Sequence, residues 1–401
     1  MASDTAVHRN RIAYLDYAAG GPPDRRILKV LCTAAFRCYG HASSAHVRGR
    51  ASQHAKQAAS SELLSLLGLE DSARVVWGSC GTEANNLVTL GLPWVKGSRI
   101  ITSAVEHPSI SMPLLHLRER EVELDILPVD SGGRVCVEQL RRSLDRGRAQ
   151  LVTIQFANQE TGVLQPVEDI AATCRDFGAP FHCDVIQAVG KTPFSPTLGM
   201  TAFSLSGYKF HGPRGNGALI LRESHPALSP LIFGSGEQEF GLRAGTQPVE
   251  LILATAHALR IALQELDRES ARVAGLRDRF EQQLLDSLGP ERVRFNGSSG
   301  HRLPGFSNVS ILGLDAQAGW LFVEHLQRRG LCVSRGSACQ SSLVEHPSPT
   351  LTAMGVPYNE AKSSFRVSLG RFSTDEDVDT AVTVIVRAFQ RIRRTCVSSP
   401  G

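Results

Sequence analysis

The chain has 401 residues, more than one ordinary domain of ~100–200, and its 42% hydrophobic content suffices for a large core. With 43 basic and 39 acidic residues the net charge is only +4, so no global field favours direct nucleic-acid binding or a membrane surface. Nine cysteines at irregular spacing, without a C-x-x-C pair, fit a reduced cytoplasmic compartment better than a disulfide framework. The opening MASDTAVHRN lacks the apolar core of a signal peptide, and no run reaches the ~18 apolar residues of a membrane span.

Apolar runs predict strands at residues 74–77, 99–103, 123–128, 151–156, 180–183, 202–205 and 218–221, alternating with helical periodicity. That alternation is the mark of a mostly parallel seven-stranded sheet with covering helices, an α/β fold. Between Glu250 and Leu288 the period becomes helical and long, forming a bridge to further strands at 308–312, 331–334 and 365–369. The expected organisation is an N-terminal segment 1–20, a large domain 21–255 and a small α+β C-terminal domain 256–401. The basic cluster Arg387, Arg391, Arg393 and Arg394 reads as the solvated face of a last helix.

The segment FHCDVIQAVGK is followed about one crossover later by FSLSGYKFHGPRGNGALIL. Asp184 and Gln187 thus stand just past one apolar strand and Lys209 just past the next, the arrangement that holds a pyridoxal phosphate ring. A lysine can form a Schiff base with the cofactor's aldehyde, and an aspartate can keep the pyridinium nitrogen protonated so that the ring draws electrons from an amino acid. Gly78-Ser-Cys-Gly81-Thr82 follows a strand and opens a helix, a place for a phosphate. His107 suits ring stacking and proton shuttling, and Asn158 and Gln159 suit donation to the ring's phenolic oxygen. All these loops fall at carboxyl ends of strands, where ligands of open α/β sheets gather.

The chain resembles the cysteine desulfurases of the class V aminotransferase fold, the NifS/IscS-like group, and their selenocysteine lyase relatives, from about Tyr14 to Phe389. The matching segments are YLDYAA at Tyr14, GHASSAHVRGR around His41, GTEANN at Gly81, VEHPSI at Val105, ANQETG at Ala157 and HCDVIQAVGK at His182. They continue with SGYKFHGPRGNGAL at Ser206, GLRAGT at Gly241, SRGSACQSS at Ser334 and RVSLGRF at Arg366. The resemblance implies a fold type I pyridoxal phosphate enzyme acting as a homodimer, with no metal. It implies that Lys209 bonds the cofactor, Asp184 holds the pyridinium, and Gln187 and Gln159 face the phenolic oxygen. Thr82, Ser206 and Tyr208 would contact the phosphate with Gly81, and Thr246 would reach the partner subunit's phosphate. His107 would be the stacking acid–base group, and Arg366, with Gln159 beside it, would grip the substrate carboxylate through its planar fork.

Cys339, in a loop of small and polar residues, separates this chemistry from ordinary transamination. The resemblance implies that its thiolate takes sulfur from L-cysteine as a persulfide, releasing alanine, and carries it to a sulfur-acceptor protein. Iron-sulfur cluster assembly and transfer RNA thiolation both draw on such donors. Gln159, Tyr208, Arg335 and Glu237 depart from the residues usual in the family, which points to a specialised paralogue. The segment HPSPTLTAMGVP resembles a stretch of the selenocysteine lyases, the alternative within the fold, and a non-catalytic sulfur-transfer partner is the alternative outside it.

Overall fold

The computed structural model describes residues 12–70, 72–196, 199–234, 237–336 and 346–397. In chain order the strands are β1 (Ala13–Tyr14), β2 (Ala73–Gly78), β3 (Arg99–Ser103), β4 (Glu123–Leu127), β5 (Leu151–Thr153) and β6 (Phe181–Asp184). There follow β7 (Ala202–Ser206), β8 (Gly217–Arg222), β9 (Val293–Asn296), β10 (Phe306–Ile311), β11 (Leu331–Cys332) and β12 (Ser364–Ser368). None of the described helices is long and apolar enough to cross a membrane. The chain forms two units, the larger of Gly20–Ser270 with Gly297–Leu303 and the smaller of the remainder.

The larger unit carries a seven-stranded sheet in the order β2-β8-β7-β6-β5-β3-β4. Strands β7, β6, β5, β3 and β4 pair in parallel, and β8 lies antiparallel between β2 and β7. Both faces of the central strands are covered, so β6 and β7 are buried along their whole length. Each nevertheless carries a polar side chain into the core, His182 in β6 and Ser204 in β7, which must find a partner there. The carboxyl ends of β2, β3, β5, β6 and β7 consequently open onto one edge, which presents the loops after Gly78, Ser103, Thr153, Asp184 and Ser206.

Strand β5 ends at Thr153, three residues before the expected Phe156. The Gln155 N–H leaves the ladder and donates to both Glu106 carboxylate oxygens, at 3.1 and 3.0 Å. A buried side chain has thus taken over a backbone partner.

A polar rung crosses the core beneath this edge. His182 Nδ1 lies 2.9 Å from Thr153 Oγ1 on β5, and Nε2 lies 2.9 Å from Ser204 Oγ on β7, with all three side chains fully buried. Burial, helped by His225, pushes the His182 imidazole down to about 3. The unfolded chain therefore binds this proton more readily, and stability falls as pH drops from about 6.5 towards the folded value. In His182→Gln, which retains a donor and an acceptor, the denaturation midpoint should depend less on pH across that window than in the wild type. Equal slopes in the two proteins would remove His182 as a source of acid sensitivity.

The smaller unit holds an antiparallel sheet, β12-β10-β9, and the parallel pair β1-β11. Its core gathers Leu15, Phe280, Val309, Phe322, Phe365, Val367 and Ile385. Residues 12–19 belong to this unit rather than standing as a separate segment. Ala13 and Leu15 point into the core, and their N–H groups donate at 3.0 Å to the carbonyls of Gly330 and Cys332. The division falls at Ser270, inside the helix Leu266–Leu288, and not after residue 255. The preceding helix Val249–Gln264 stays with the larger unit because Ile252, Ala254, Ala256 and Leu259 are buried in its core. Residues 297–303 also return to the larger unit, where Val163 pairs with Arg302 and Leu303 N–H donates to the Gly162 carbonyl at 2.8 Å.

Candidate active site

Asp184 is the last residue of β6, and its carboxylate is buried at the sheet edge. Its Oδ1 accepts from the Ile186 N–H at 2.9 Å and its Oδ2 from Asn85 Nδ2 at 2.7 Å. Burial raises this carboxyl above its ordinary range, while those two donors and the Lys209 charge oppose the rise. Any cation facing it would add to that opposition. Gln187, three residues on, accepts from Lys191 Nζ at 2.8 Å through Oε1.

Lys209 lies in a 3-10 turn, Gly207–Phe210, immediately after β7, and its Nζ stands 4.7 Å from the centroid of the Tyr208 ring. The turn needs Gly207, since a Cβ there would come within 2.8 Å of Thr255 Oγ1. It closes with His211 in the left-handed region at φ 65°. The strand end and the tight turn hold Lys209 half-buried rather than free in solvent.

The turn after β2 leads into the helix Gly81–Leu90, whose N-cap, Cys80, makes no side-chain capping bond. A Cβ on Gly81 would lie 2.2 Å from Ile186 Cδ1 and 3.5 Å from Ser206 Cβ, so the loops after β2, β6 and β7 converge there. Ser206 Oγ is buried without a hydrogen-bond partner among the described residues. A helix N-terminus without a side-chain cap, an unanswered buried hydroxyl and an exposed Thr82 are what a phosphate dianion requires. With Asp184 for a pyridinium and Lys209 for an aldehyde, the residues fit pyridoxal phosphate.

His107 caps the helix Pro108–Glu119, its Nδ1 accepting from the Ser109 N–H at 3.1 Å. Burial, then the nearby Lys209 charge, pushes its imidazole down to about 4, so the ring is neutral at pH 7. Its neighbour Glu106 is buried, accepts from Ser103 Oγ at 2.5 Å and is pushed up to about 8 chiefly by desolvation.

Asn158 is engaged within its own turn. Its Nδ2 donates to the Val105 carbonyl at 3.0 Å, and its Oδ1 accepts from the N–H groups of Glu160 and Thr161 at 2.8 and 2.9 Å. It is the brace of a turn, a common use of asparagine. Gln159, beside it, is buried.

Thr246 is exposed, on a loop held at its base by buried Glu239. Glu239 accepts from the Trp77 N–H at 2.8 Å and Gln247 Nε2 at 2.7 Å, and pairs with Lys56. Glu239 and Phe240 both adopt left-handed backbone, φ 47° and 60°, a cost that these contacts offset. Arg243 on the same loop donates to Glu83 at 2.9 Å, and Glu83 accepts from the Ser79 N–H at 2.7 Å.

Arg366 belongs to the smaller unit, on β12, where it is 1% exposed. Its Nη2 donates to Asp16 Oδ1 at 2.6 Å, and Asp16 Oδ2 accepts from Ser334 Oγ at 2.8 Å. The guanidinium is thus held by a carboxylate of the YLDYAA segment, a pairing that sequence inspection did not find. Cys339 lies outside the described residues.

Residues 13–381 match the family described as aminotransferase class-V. A protein of Gluconacetobacter diazotrophicus named cysteine desulfurase is 37% identical over 384 residues, covering 95% of this chain and 94% of its own. A protein of Dictyoglomus turgidum named cysteine desulfurase IscS is 35% identical over 387 residues, 96% of each chain. A solved structure described as a NifS-like protein superposes with a TM-score of 0.85 at 28% identity, covering 95% of this chain and all of that one. The family match and the fold define a class-V aminotransferase-type enzyme. Within that class the chain belongs to the cysteine desulfurase family.

Proposed function

We propose that the chain binds pyridoxal phosphate through Lys209 and Asp184 and passes sulfur from L-cysteine, as a persulfide on Cys339, to an acceptor protein. The observation that carries this reading is the convergence of Ser206 Oγ, Gly81 and Ile186 on one cradle, with Asp184 and Lys209 at neighbouring strand ends. When bound, the cofactor supplies an electron sink that acidifies the substrate Cα–H and makes the substrate sulfur a leaving group.

The chain's own residues divide the remaining work. Thr82, Ser206, Tyr208 and the N-terminus of helix Gly81–Leu90 hold the phosphate, and Thr246 reaches the partner subunit's phosphate in a homodimer. Asp184 holds a proton on the ring nitrogen, and Gln187 and Gln159 orient the ring through its phenolic oxygen. Arg366, fixed by Asp16, binds the substrate carboxylate. Lys209 Nζ removes the Cα proton, and neutral His107 carries a proton on its ring at working pH. Cys339 thiolate then attacks the substrate sulfur; an S–S bond forms as the C–S bond breaks, and the electron pairs left by C–S cleavage at Cβ and by deprotonation at Cα each take one proton to give alanine.

The test compares alanine release from L-cysteine and from L-selenocysteine under identical conditions. Steady turnover of L-cysteine, with sulfur recovered on the protein, is the expected result. Turnover confined to selenocysteine would replace this reading with a lyase.

A further inference from the structure

Two buried polar side chains join His107 to Asp184, and neither has a part in the steps above. Asn85, on the helix Gly81–Leu90, is fully buried, and Ser109, on the helix Pro108–Glu119, is nearly so. Asn85 Nδ2 donates to Asp184 Oδ2 at 2.7 Å and to Ser109 Oγ at 2.8 Å. Ser109 Oγ in turn lies 2.7 Å from His107 Nδ1.

The chemistry of these groups fixes the direction of each bond. An amide nitrogen has two protons and accepts none, so the two contacts of Nδ2 use one proton each. Turning the amide over would set Oδ1 against the Asp184 carboxylate. Its present orientation leaves Oδ1 buried without a partner among the described residues, a cost tolerated where a site demands it. Ser109 Oγ accepts from Asn85, so its own proton is the one available to His107 Nδ1. The Ser109 N–H also points at Nδ1, at 3.1 Å. A ring nitrogen that receives two donors carries no proton, so in the neutral ring the proton sits on Nε2.

We propose that Asn85 and Ser109 are positioning residues that tether His107 to the Asp184 carboxylate and hold its imidazole in the Nε2–H form. Protonating Nδ1 would set its new N–H against the Ser109 backbone N–H and reverse the hydroxyl. The tether therefore works in the same direction as burial and the Lys209 charge, which already keep the ring neutral. It makes Nε2, and not Nδ1, the atom that exchanges a proton with substrate or product. The proposal rests on the acid–base reading of His107 given above.

The test uses holoenzyme labelled with 15N-histidine, the His107 signals being assigned by their loss in His107→Gln. The wild type should show an unprotonated Nδ1 and a protonated Nε2. Ser109→Ala removes the hydroxyl but keeps the backbone N–H that faces Nδ1, so it should show a minor Nδ1–H tautomer in exchange with the Nε2–H form, absent from the wild type, with kcat for alanine formation down about 10- to 100-fold at an unchanged KM. Ser109→Thr, which restores a hydroxyl, should recover both readings. A single Nε2–H tautomer with wild-type kcat in Ser109→Ala would overturn the proposal. Wild-type kcat in His107→Gln would instead overturn the acid–base reading beneath it, and the two results are separable because the tautomer signal is read without turnover.

Discussion

Lys209→Ala is expected to lower kcat for alanine formation by about 10⁴-fold and to remove the visible absorbance of bound cofactor. Both effects are expected of one nitrogen, since in the proposed function Lys209 Nζ bonds the cofactor and then takes the substrate's Cα proton. Lys191 Nζ is engaged with Gln187 Oε1 at 2.8 Å. Loss of the Lys209 charge also removes one influence that keeps the His107 imidazole low and one that opposes the rise of Asp184. The variant should therefore bind free pyridoxal phosphate reversibly and lose it on gel filtration. A fall in kcat smaller than about 100-fold would show that another group serves as the base.

The second large effect belongs to Cys339. A serine hydroxyl at that position is not a nucleophile towards sulfur near neutral pH, whereas a cysteine thiol yields a thiolate. Cys339→Ser should retain the cofactor's visible absorbance, because the proposed function gives Cys339 no part in holding the ring, and should lose at least about 10³-fold of sulfur transfer. Incubation with 35S-labelled L-cysteine followed by thiol trapping measures this directly, as label on the wild-type chain and none on the variant. Transfer of label to an acceptor protein by the variant at the wild-type rate would remove Cys339 from the pathway. Together the two variants divide the reaction, Lys209→Ala losing colour and chemistry, and Cys339→Ser keeping colour while losing C–S cleavage and the sulfur transfer that depends on it.

Much of the larger unit was legible in sequence because both faces of its sheet are covered. Strand Gly217–Arg222, GALILR, therefore stands out as a nearly uninterrupted apolar run between turns, and Ala202–Ser206, AFSLS, as a mostly apolar one broken by Ser204. Lys209 and Asp184 were legible for the same reason, each following such a run. Other features depend on meetings that local pattern does not encode. Strand Ala13–Tyr14 has only two residues, too short for a periodicity, and its partner lies at Leu331–Cys332. Asp16 and Arg366 are 350 residues apart. Asn85 and Ser109 lie on different helices, and their role exists only where Gly81–Leu90 and Pro108–Glu119 pack together. The turn that Asn158 braces was not legible either, because an asparagine that braces a turn and one that faces a ligand look alike in sequence.

The buried rung of Thr153, His182 and Ser204 bears on how the site is built as well as on acid stability. Side chains on a strand alternate between faces, so sliding β6 by one residue would turn His182 away from both hydroxyls and bury three unsatisfied polar groups. Apolar neighbours such as Phe181 and Cys183 would tolerate the slip far better, since burial alone does not distinguish one buried face from the other. Asp184, two residues after His182, would move with it. The rung therefore works as an alignment pin: it sets in the core, before any ligand arrives, which residue of the strand emerges beside Lys209.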